Sequence, residues 1–376
     1  AVFSDLEVQH IGIGQVVPPD DVASLDEAVI AIADGLSDIQ SKNAIVPLYQ
    51  WLTQTHGDYW QHIEQGYEIE HQRMSDEAHN AFTGQIVNND LIEVIAETID
   101  DNYVWSASRL NAYGQWAYRF FAGYILNLNE LKPPQEGMDA LQMGSLNHDI
   151  LEKTYRAIQE ENLYINADNT GDALEILEEE AQKVFNTAPE KYKFRPSALW
   201  QEEQIVIARR LRRLVMLDFS DESPLAKFGS ERRPYALELS FGFGNDTLEV
   251  PIHGGSIKVR GKIDRIDWVD GKLVVIDYKT GSSGISTSQI EDGRNFQMMI
   301  YLLALEQKLK QRNGGEIAGG FFWHIRNQKI SGKMTFEGAI EEDDFVQMGK
   351  AHISAYLEKM RLGDFSVQPT KPSNNR

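Results

Sequence analysis

Asp264, Asp277 and Lys279 are the residues of this sequence whose types and spacing point most directly to chemistry. Asp264 lies in Gly261-Lys262-Ile263-Asp264-Arg265-Ile266-Asp267. The other two lie in Val274-Val275-Ile276-Asp277-Tyr278-Lys279-Thr280-Gly281. Both stretches are rich in branched and aromatic residues, which favour strands. Between them sits Asp270-Gly271, a dipeptide that favours a two-residue hairpin turn. With Val269 and Lys272 flanking that turn and no bulge, the register sets Asp264 opposite Asp277, their Cβ atoms about 5 Å apart. Two carboxylates so placed repel unless something positive lies between them, and a divalent cation meets that need. Lys279, two residues beyond Asp277, points to the same face because side chains alternate along a strand. Two acids and a lysine on one face can hold magnesium against a phosphodiester, although an exposed hairpin with solvated charges would carry the same residues.

The elements that must position these residues follow from periodicity and turn signals. Helices are expected to about residue 220, then strands near 235–242, 248–252, 256–268 and 272–279. A helix is expected near 289–312, strands at 319–325 and 333–337, and a helix over 340–362. The glycines of Phe241-Gly242-Phe243-Gly244-Asn245-Asp246 lie between strand-like runs and read as turn residues. His148 falls on a helical stripe with Leu141, Gly144, Leu151, Tyr155 and Ile158, a pattern that fits a core histidine as well as a ligand. Gln297 and Tyr301 stand at i and i+4 on the helix that also carries Ile300, Ala304 and Leu305, so packing on a sheet explains them without chemistry. Glu238, in Leu237-Glu238-Leu239, is either a further acid for the site or an exposed strand residue.

The set resembles the RecB-like branch of the PD-(D/E)XK nucleases, whose pattern runs G-x-x-D-R-x-D, then D-Y-K-T-G, then Q-x-x-x-Y. Gln297-Met298-Met299-Ile300-Tyr301 supplies the last of these, and Gly144-Ser145-Leu146-Asn147-His148-Asp149-Ile150-Leu151-Glu152 is similar to the family's G-x-x-x-H-x-x-L-E. The resemblance implies an α/β fold with a restriction-endonuclease-like core, a central mixed sheet flanked by helices, preceded by a helical N-terminal region. It implies metal-dependent hydrolysis of DNA. Asp264, Asp277, His148 and the Tyr278 carbonyl would hold one or two Mg²⁺ or Mn²⁺, hard cations that take oxygen ligands. Lys279 would act on water and phosphate, with Gln297 and Tyr301 lining the site. Arg265 and Arg294, with Arg260 and Lys262, are candidates for nucleic-acid contact. DNA, single-stranded favoured, and a helicase subunit are the expected partners. An inactive domain of the same fold, binding DNA or a helicase, is the alternative.

The resemblance extends upstream. Ser106-Ala107-Ser108-Arg109-Leu110-Asn111-Ala112-Tyr113 and Tyr118-Arg119-Phe120-Phe121-Ala122-Gly123-Tyr124 are similar to the segment that opens the nuclease domain of AddB-type helicase–nuclease subunits. There a cysteine three residues after the tyrosine, with three more near the C-terminus, holds an iron–sulfur cluster. Here that position is Trp116, and the sequence contains no cysteine, so no thiolate-held cluster is expected. Trp116 and its aromatic neighbours are expected to pack in its place. The sequence stops at Pro369-Thr370-Lys371-Pro372-Ser373-Asn374-Asn375-Arg376, near where the cluster cysteines would begin, and starts with Ala1. It therefore reads as a piece of a longer polypeptide.

A chain of 376 residues has room for two or three domains. Residues 1–100 form an acidic, mainly helical region, a candidate remnant of a helicase-like portion. Residues 101–376 form the nuclease-like domain, its catalytic core at about 234–340. In the first region Leu25, Ala28, Val29, Ile32 and Leu36 make one stripe, while Val46, Leu48, Tyr49, Trp51 and Leu52 belong to another apolar segment. His56, His62, His71 and His79 lack the tight spacing of a zinc site. The net charge of −21 has the wrong sign for drawing in DNA by the overall field, but it is uneven. Residues 1–130 hold 4 Lys+Arg against 20 Asp+Glu, and residues 131–376 hold 32 against 37. Arg209, Arg210, Arg212 and Arg213 crowd one helix as a basic face, solvated or phosphate-binding. No G-x-x-x-x-G-K-[ST] occurs, so no ATP site is expected. With no long apolar run, no signal-like start and no cysteine, a cytoplasmic protein without a membrane span is expected.

Overall fold

The structure, a computed structural model, describes residues 16–37, 42–74, 80–128, 136–244, 248–281, 283–311, 315–336, 338 and 340–367. His79, Asn245, Asp246 and the segment 369–376 lie outside the described residues. The chain divides into two compact units between Phe82 and Thr83, ahead of the boundary expected at residue 100.

The first unit contains helices α1 (Leu25–Ser37), α2 (Lys42–Thr55) and α3 (Gly57–Met74). Its core is small: Ile32, Ile45 and Leu52 are buried, with Leu25, Val29, Leu48, Tyr59 and Trp60 packed partly around them. The expected α1 stripe holds at Ala28 and Ile32 and fails at Leu36, which is exposed, as are Val46, Tyr49 and Trp51 of α2.

The second unit opens with α4 (Asn89–Thr98), β1 (Val104–Trp105), α5 (Ala107–Gln115) and α6 (Ala117–Phe120). Three long helices follow: α7 (Ala140–Glu160), α8 (Thr170–Lys191) and α9 (Trp200–Phe219). Then come β2 (Arg232–Phe241), β3 (Leu248–Ile252), β4 (Gly255–Val259), β5 (Gly261–Val269) and β6 (Lys272–Lys279). The unit closes with α10 (Thr287–Glu291), α11 (Gln297–Gln311), β7 (Glu316–His324), β8 (Ile330–Thr335) and α12 (Asp344–Arg361). Among the described residues no helix is long and apolar enough to cross a membrane.

The main sheet has the order β2-β5-β6-β7-β8, antiparallel throughout except for the parallel pair β6 and β7. That pair needs a crossover, and α10 and α11 supply it. One face of the sheet packs Val274, Ile276, Phe321 and Trp323 against α7, α8 and α9. The other packs Leu273, Val275 and Phe322 against α11 and α12. Strand β6 is apolar on both faces, as a strand buried between two helical layers must be. A smaller sheet of order β1-β4-β3 adjoins it.

Two expected elements divide. The run 256–268 is two strands, because the amide of Arg260 bonds to Trp105 O at 2.9 Å and passes the chain from the small sheet to the main one. The helix expected near 289–312 is broken between α10 and α11, where Gly293 takes φ +69, a left-handed conformation that ends a helix.

The two ends of the second unit are pinned to each other. Trp116 Nε1 donates to Val367 O at 2.8 Å, Tyr113 Oη to Asp364 O at 2.7 Å and the Tyr118 amide to Ser366 O at 3.2 Å. Phe365 is buried among the rings of Phe121 (4.8 Å), Tyr113 (6.2 Å) and Phe120 (6.5 Å). Trp116 itself stays half-exposed and contributes a hydrogen bond, while its neighbours supply the packing. Replacing Phe365 with alanine is expected to destabilise this unit by about 3–5 kcal/mol, read as a lower denaturant midpoint with an unchanged slope.

Candidate active site

The β5–β6 ladder runs from Val269↔Lys272 to Arg265↔Ile276 in the register expected from the Asp270-Gly271 turn, whose two residues have φ +45 and +89. The next pair in that register is Asp264 with Asp277. There the carboxylate of Asp264 takes over, its Oδ2 accepting the Tyr278 amide at 2.8 Å.

Asp277 and Lys279 sit at the carboxyl end of β6, and Gln297 is the first residue of α11. Lys279 Nζ lies 2.6 Å from Asp277 Oδ2 and donates to Gln297 Oε1 at 2.8 Å. Gln297 Nε2 donates to Asp277 Oδ1 and to Tyr301 Oη, both at 2.8 Å. The neighbours force this amide orientation, since an ammonium can only donate and a carboxylate only accept. Gln297 thus touches the acid and the lysine from the helix side, and Tyr301, one turn on, accepts from Gln297.

His148, on α7, brings its Nδ1 to 3.3 Å from Asp264 Oδ1. It lies where its stripe meets the surface: Leu151, Tyr155 and Ile158 are buried, whereas Leu141 is exposed. Glu238 joins from β2. His148, Glu238 and Asp264 each present a ligand atom, and the three atoms lie within 4.8 Å of one another. The expected trio of His148, Asp264 and Asp277 is therefore not the tightest one; Glu238 is inside that circle and Asp277 is held further back by Lys279 and Gln297. Glu238 is legible in the sequence as a spare acid, but its place here depends on a backbone feature no pattern shows. It has φ +51, uncommon for a residue with a Cβ.

The electrostatics suit a cation. Burial, and then the charge of Asp264, push the Asp277 carboxyl up to about 7. Burial also raises Glu238. Burial works against the imidazolium of His148, yet its hydrogen bond to Asp264 and the surrounding carboxylates raise its pKa on balance. Asp277 Oδ2 is buried and, although close to Lys279, has no hydrogen bond of good geometry among the described residues. Carboxylate oxygens with one imidazole nitrogen and an orphaned buried oxygen make a donor set suited to Mg²⁺ or Mn²⁺.

Other expected residues fall elsewhere. Arg265 is no candidate for DNA contact. It is fully buried, with Nε donating to Asp267 Oδ1 and one terminal nitrogen to Asp218 Oδ2, both at 2.7 Å, and its plane 3.6 Å over the Tyr155 ring. Its side chain lies on the α7–α9 side of the sheet, against Tyr155 of α7 and Asp218 of α9. The Tyr278 side chain points the same way, its Oη accepting from Arg265 at 2.9 Å, so only its backbone is left to serve the site. Arg294 is half-buried and paired with Asp292 at 2.5 Å. Arg260 is exposed beside Phe243, and Lys262 is paired with Glu238. On α9, Arg212 pairs with Glu178, while Arg209 and Arg213 are exposed.

His324, the last residue of β7, carries no sequence signal. It is buried beside Lys279 on the adjacent strand, with Nδ1 2.8 Å from Gly281 O and Nε2 2.7 Å from Ser331 Oγ. Ile325 N binds Lys279 O at 2.9 Å. The strand end after the lysine is thereby clamped on both sides of Thr280.

A profile described as the PD-(D/E)XK nuclease superfamily matches residues 104–373 of this sequence. The chain belongs to the PD-(D/E)XK nuclease superfamily. This PD-(D/E)XK chain is 30% identical over 313 residues to an ATP-dependent helicase/deoxyribonuclease subunit of Oceanobacillus iheyensis, a match covering 77% of this chain and 25% of that protein. It is 27% identical to the proteins of the same name from Clostridium tetani and Carboxydothermus hydrogenoformans, over 61% of this chain and 20% and 21% of theirs. The chain thus spans about a fifth to a quarter of the length of these relatives. Asp264, Asp277 and Lys279, the residues the hairpin brings together, lie within the matched span.

Proposed function

We propose that this chain carries the catalytic site of a Mg²⁺- or Mn²⁺-dependent deoxyribonuclease that hydrolyses DNA phosphodiesters, acting as an exonuclease on single strands fed by a helicase partner in the cytoplasm. The observation that carries the reading is the meeting of Asp264, Asp277, Lys279 and His148 at one end of the main sheet, with a buried Asp277 oxygen that, among the described residues, has no hydrogen bond of good geometry. His148, Asp264, Asp277 and the Tyr278 carbonyl would hold the cation. Once bound, it would activate water and offset the charge that grows on the phosphate. Lys279, anchored by Asp277 and Gln297, has three N–H groups, and those not directed at its anchors can aim at the attacking water or the scissile phosphate. Gln297 and Tyr301 fix the orientations of Asp277 and Lys279. Arg294, in the bend before α11, is the remaining candidate for phosphate contact, by exchanging Asp292 for DNA.

The test is degradation of end-labelled single- and double-stranded DNA with Mg²⁺, Mn²⁺ or EDTA, run beside Asp277→Ala. Cleavage that needs metal and vanishes in the variant supports the reading, and the label shows strand preference and exonucleolytic mode. Binding of DNA or of a helicase without cleavage under any metal would sink it in favour of an inactive scaffold.

A further inference from the structure

We propose that Glu238 is a ligand of the cation, and that Lys262 is the charge that stands in for the cation when the site holds none. This rests on the metal-dependent reading above and adds to it a carboxylate from a third strand.

The placement comes from the backbone. On β2, Leu237 packs with the core on the α7–α9 side, whereas Leu239, two residues on, packs with the core under α11. Regular alternation would keep them on one face. On β5 the same reversal separates Arg265, buried on the α7–α9 side, from Ile263, in the α11 core. The ladder pairs Leu237 with Arg265 and Leu239 with Ile263, so the reversal on both strands falls at Glu238 and Asp264, neighbours across the ladder. The left-handed φ of Glu238 is the turn that makes the exchange. Both side chains are thereby set beside His148 of α7, which gives the 4.8 Å circle of ligand atoms.

The charges then divide by mobility. Lys279 is held by Asp277 and Gln297. Lys262 pairs with Glu238, but its side chain is 53% exposed, against 12% for Glu238. Its ammonium can swing into water at little cost, because more than half of that side chain is already exposed. Glu238 cannot follow. It is left facing Asp264, and Glu152 is near enough to act on both Glu238 and Lys262. A divalent cation taking the place of Lys262 brings two charges where one stood and gains carboxylate oxygens on both strands.

The experiment measures Mn²⁺ binding to the full chain, without DNA, by loss of the free-ion paramagnetic resonance signal. Glu238→Gln is expected to raise the Mn²⁺ Kd at least about ten-fold. Lys262→Met is expected to lower it, because the competing charge is gone. A thermal midpoint for metal-free Glu238→Gln close to that of the parent shows that the loss is not one of folding. Parental Mn²⁺ affinity in both variants would overturn the assignment while leaving the nuclease reading intact. Absence of Mn²⁺ binding in the parent chain would overturn both.

Discussion

Lys279→Ala is expected to lower the rate of DNA cleavage by about 10²–10³-fold while leaving the chain folded and able to bind Mn²⁺. The lysine donates no ligand atom, so its removal should not empty the cation site. What goes is the ammonium that Gln297 and Asp277 aim across the end of β6. Its contribution is electrostatic and exists only where negative charge develops, so the loss falls on the chemical step rather than on substrate affinity. Lys279→Arg should restore little, because a planar guanidinium cannot replace a compact ammonium between a carboxylate and an amide oxygen. Single-turnover cleavage, alongside Mn²⁺ binding, checks this. Cleavage by Lys279→Ala at the parental rate would show that the lysine balances the charge of Asp277 and does nothing further.

Arg265→Met should be the most destabilising single change near the site, costing about 3–5 kcal/mol. The arginine is fully buried between two buried carboxylates, Asp218 and Asp267, and the phenols of Tyr155 and Tyr278. Methionine fills much of the volume and strands both acids. Asp218 keeps a 2.5 Å bond from Tyr155 and one from Ser223, but Asp267 loses the partner that held both its oxygens. Such an acid has a folded pKa above its unfolded one, so between the two values the native state binds more protons. Burial already holds Asp267 at about 6 in the parent against the pull of Arg265, and removing the arginine raises it further, so the deficit of the variant relative to the parent is full above the variant's folded pKa and shrinks as pH falls toward about 6. Denaturant titrations of both proteins over that range check it. An equal deficit at every pH would mean that the lost arginine acted through packing alone.

The two residues show what the sequence reveals and what it hides. The Asp264–Asp277 meeting is legible because a turn dipeptide fixes a register and the register fixes a face. Gln297 and Tyr301 are legible because helical spacing keeps them together, and the order of helices and strands follows from period alone. Arg265 misleads because an arginine in a strand looks like a surface residue, and Asp218, the acid that claims it, lies 47 residues upstream. Glu238 stands out only as an acid, since its left-handed backbone is unusual for any residue other than glycine. The break before α11 has a signal, Gly293, outweighed by the helical residues on either side. His324 has none: its role lies in a hydrogen bond to Gly281, 43 residues away.

The aromatic pin also sets a schedule. Tyr113 and its partner Asp364 are 251 residues apart, and at about 5–20 residues per second a ribosome takes roughly 10–50 s to cover that interval. Throughout it the newly made Tyr113, Phe120 and Phe121 wait for Phe365. During synthesis the unit is a cup with its rim open until the stretch around Phe365 is made and supplies the stopper. A nascent chain stalled before Phe365 should therefore display those aromatic rings to a chaperone, and one released past Val367 should hide them.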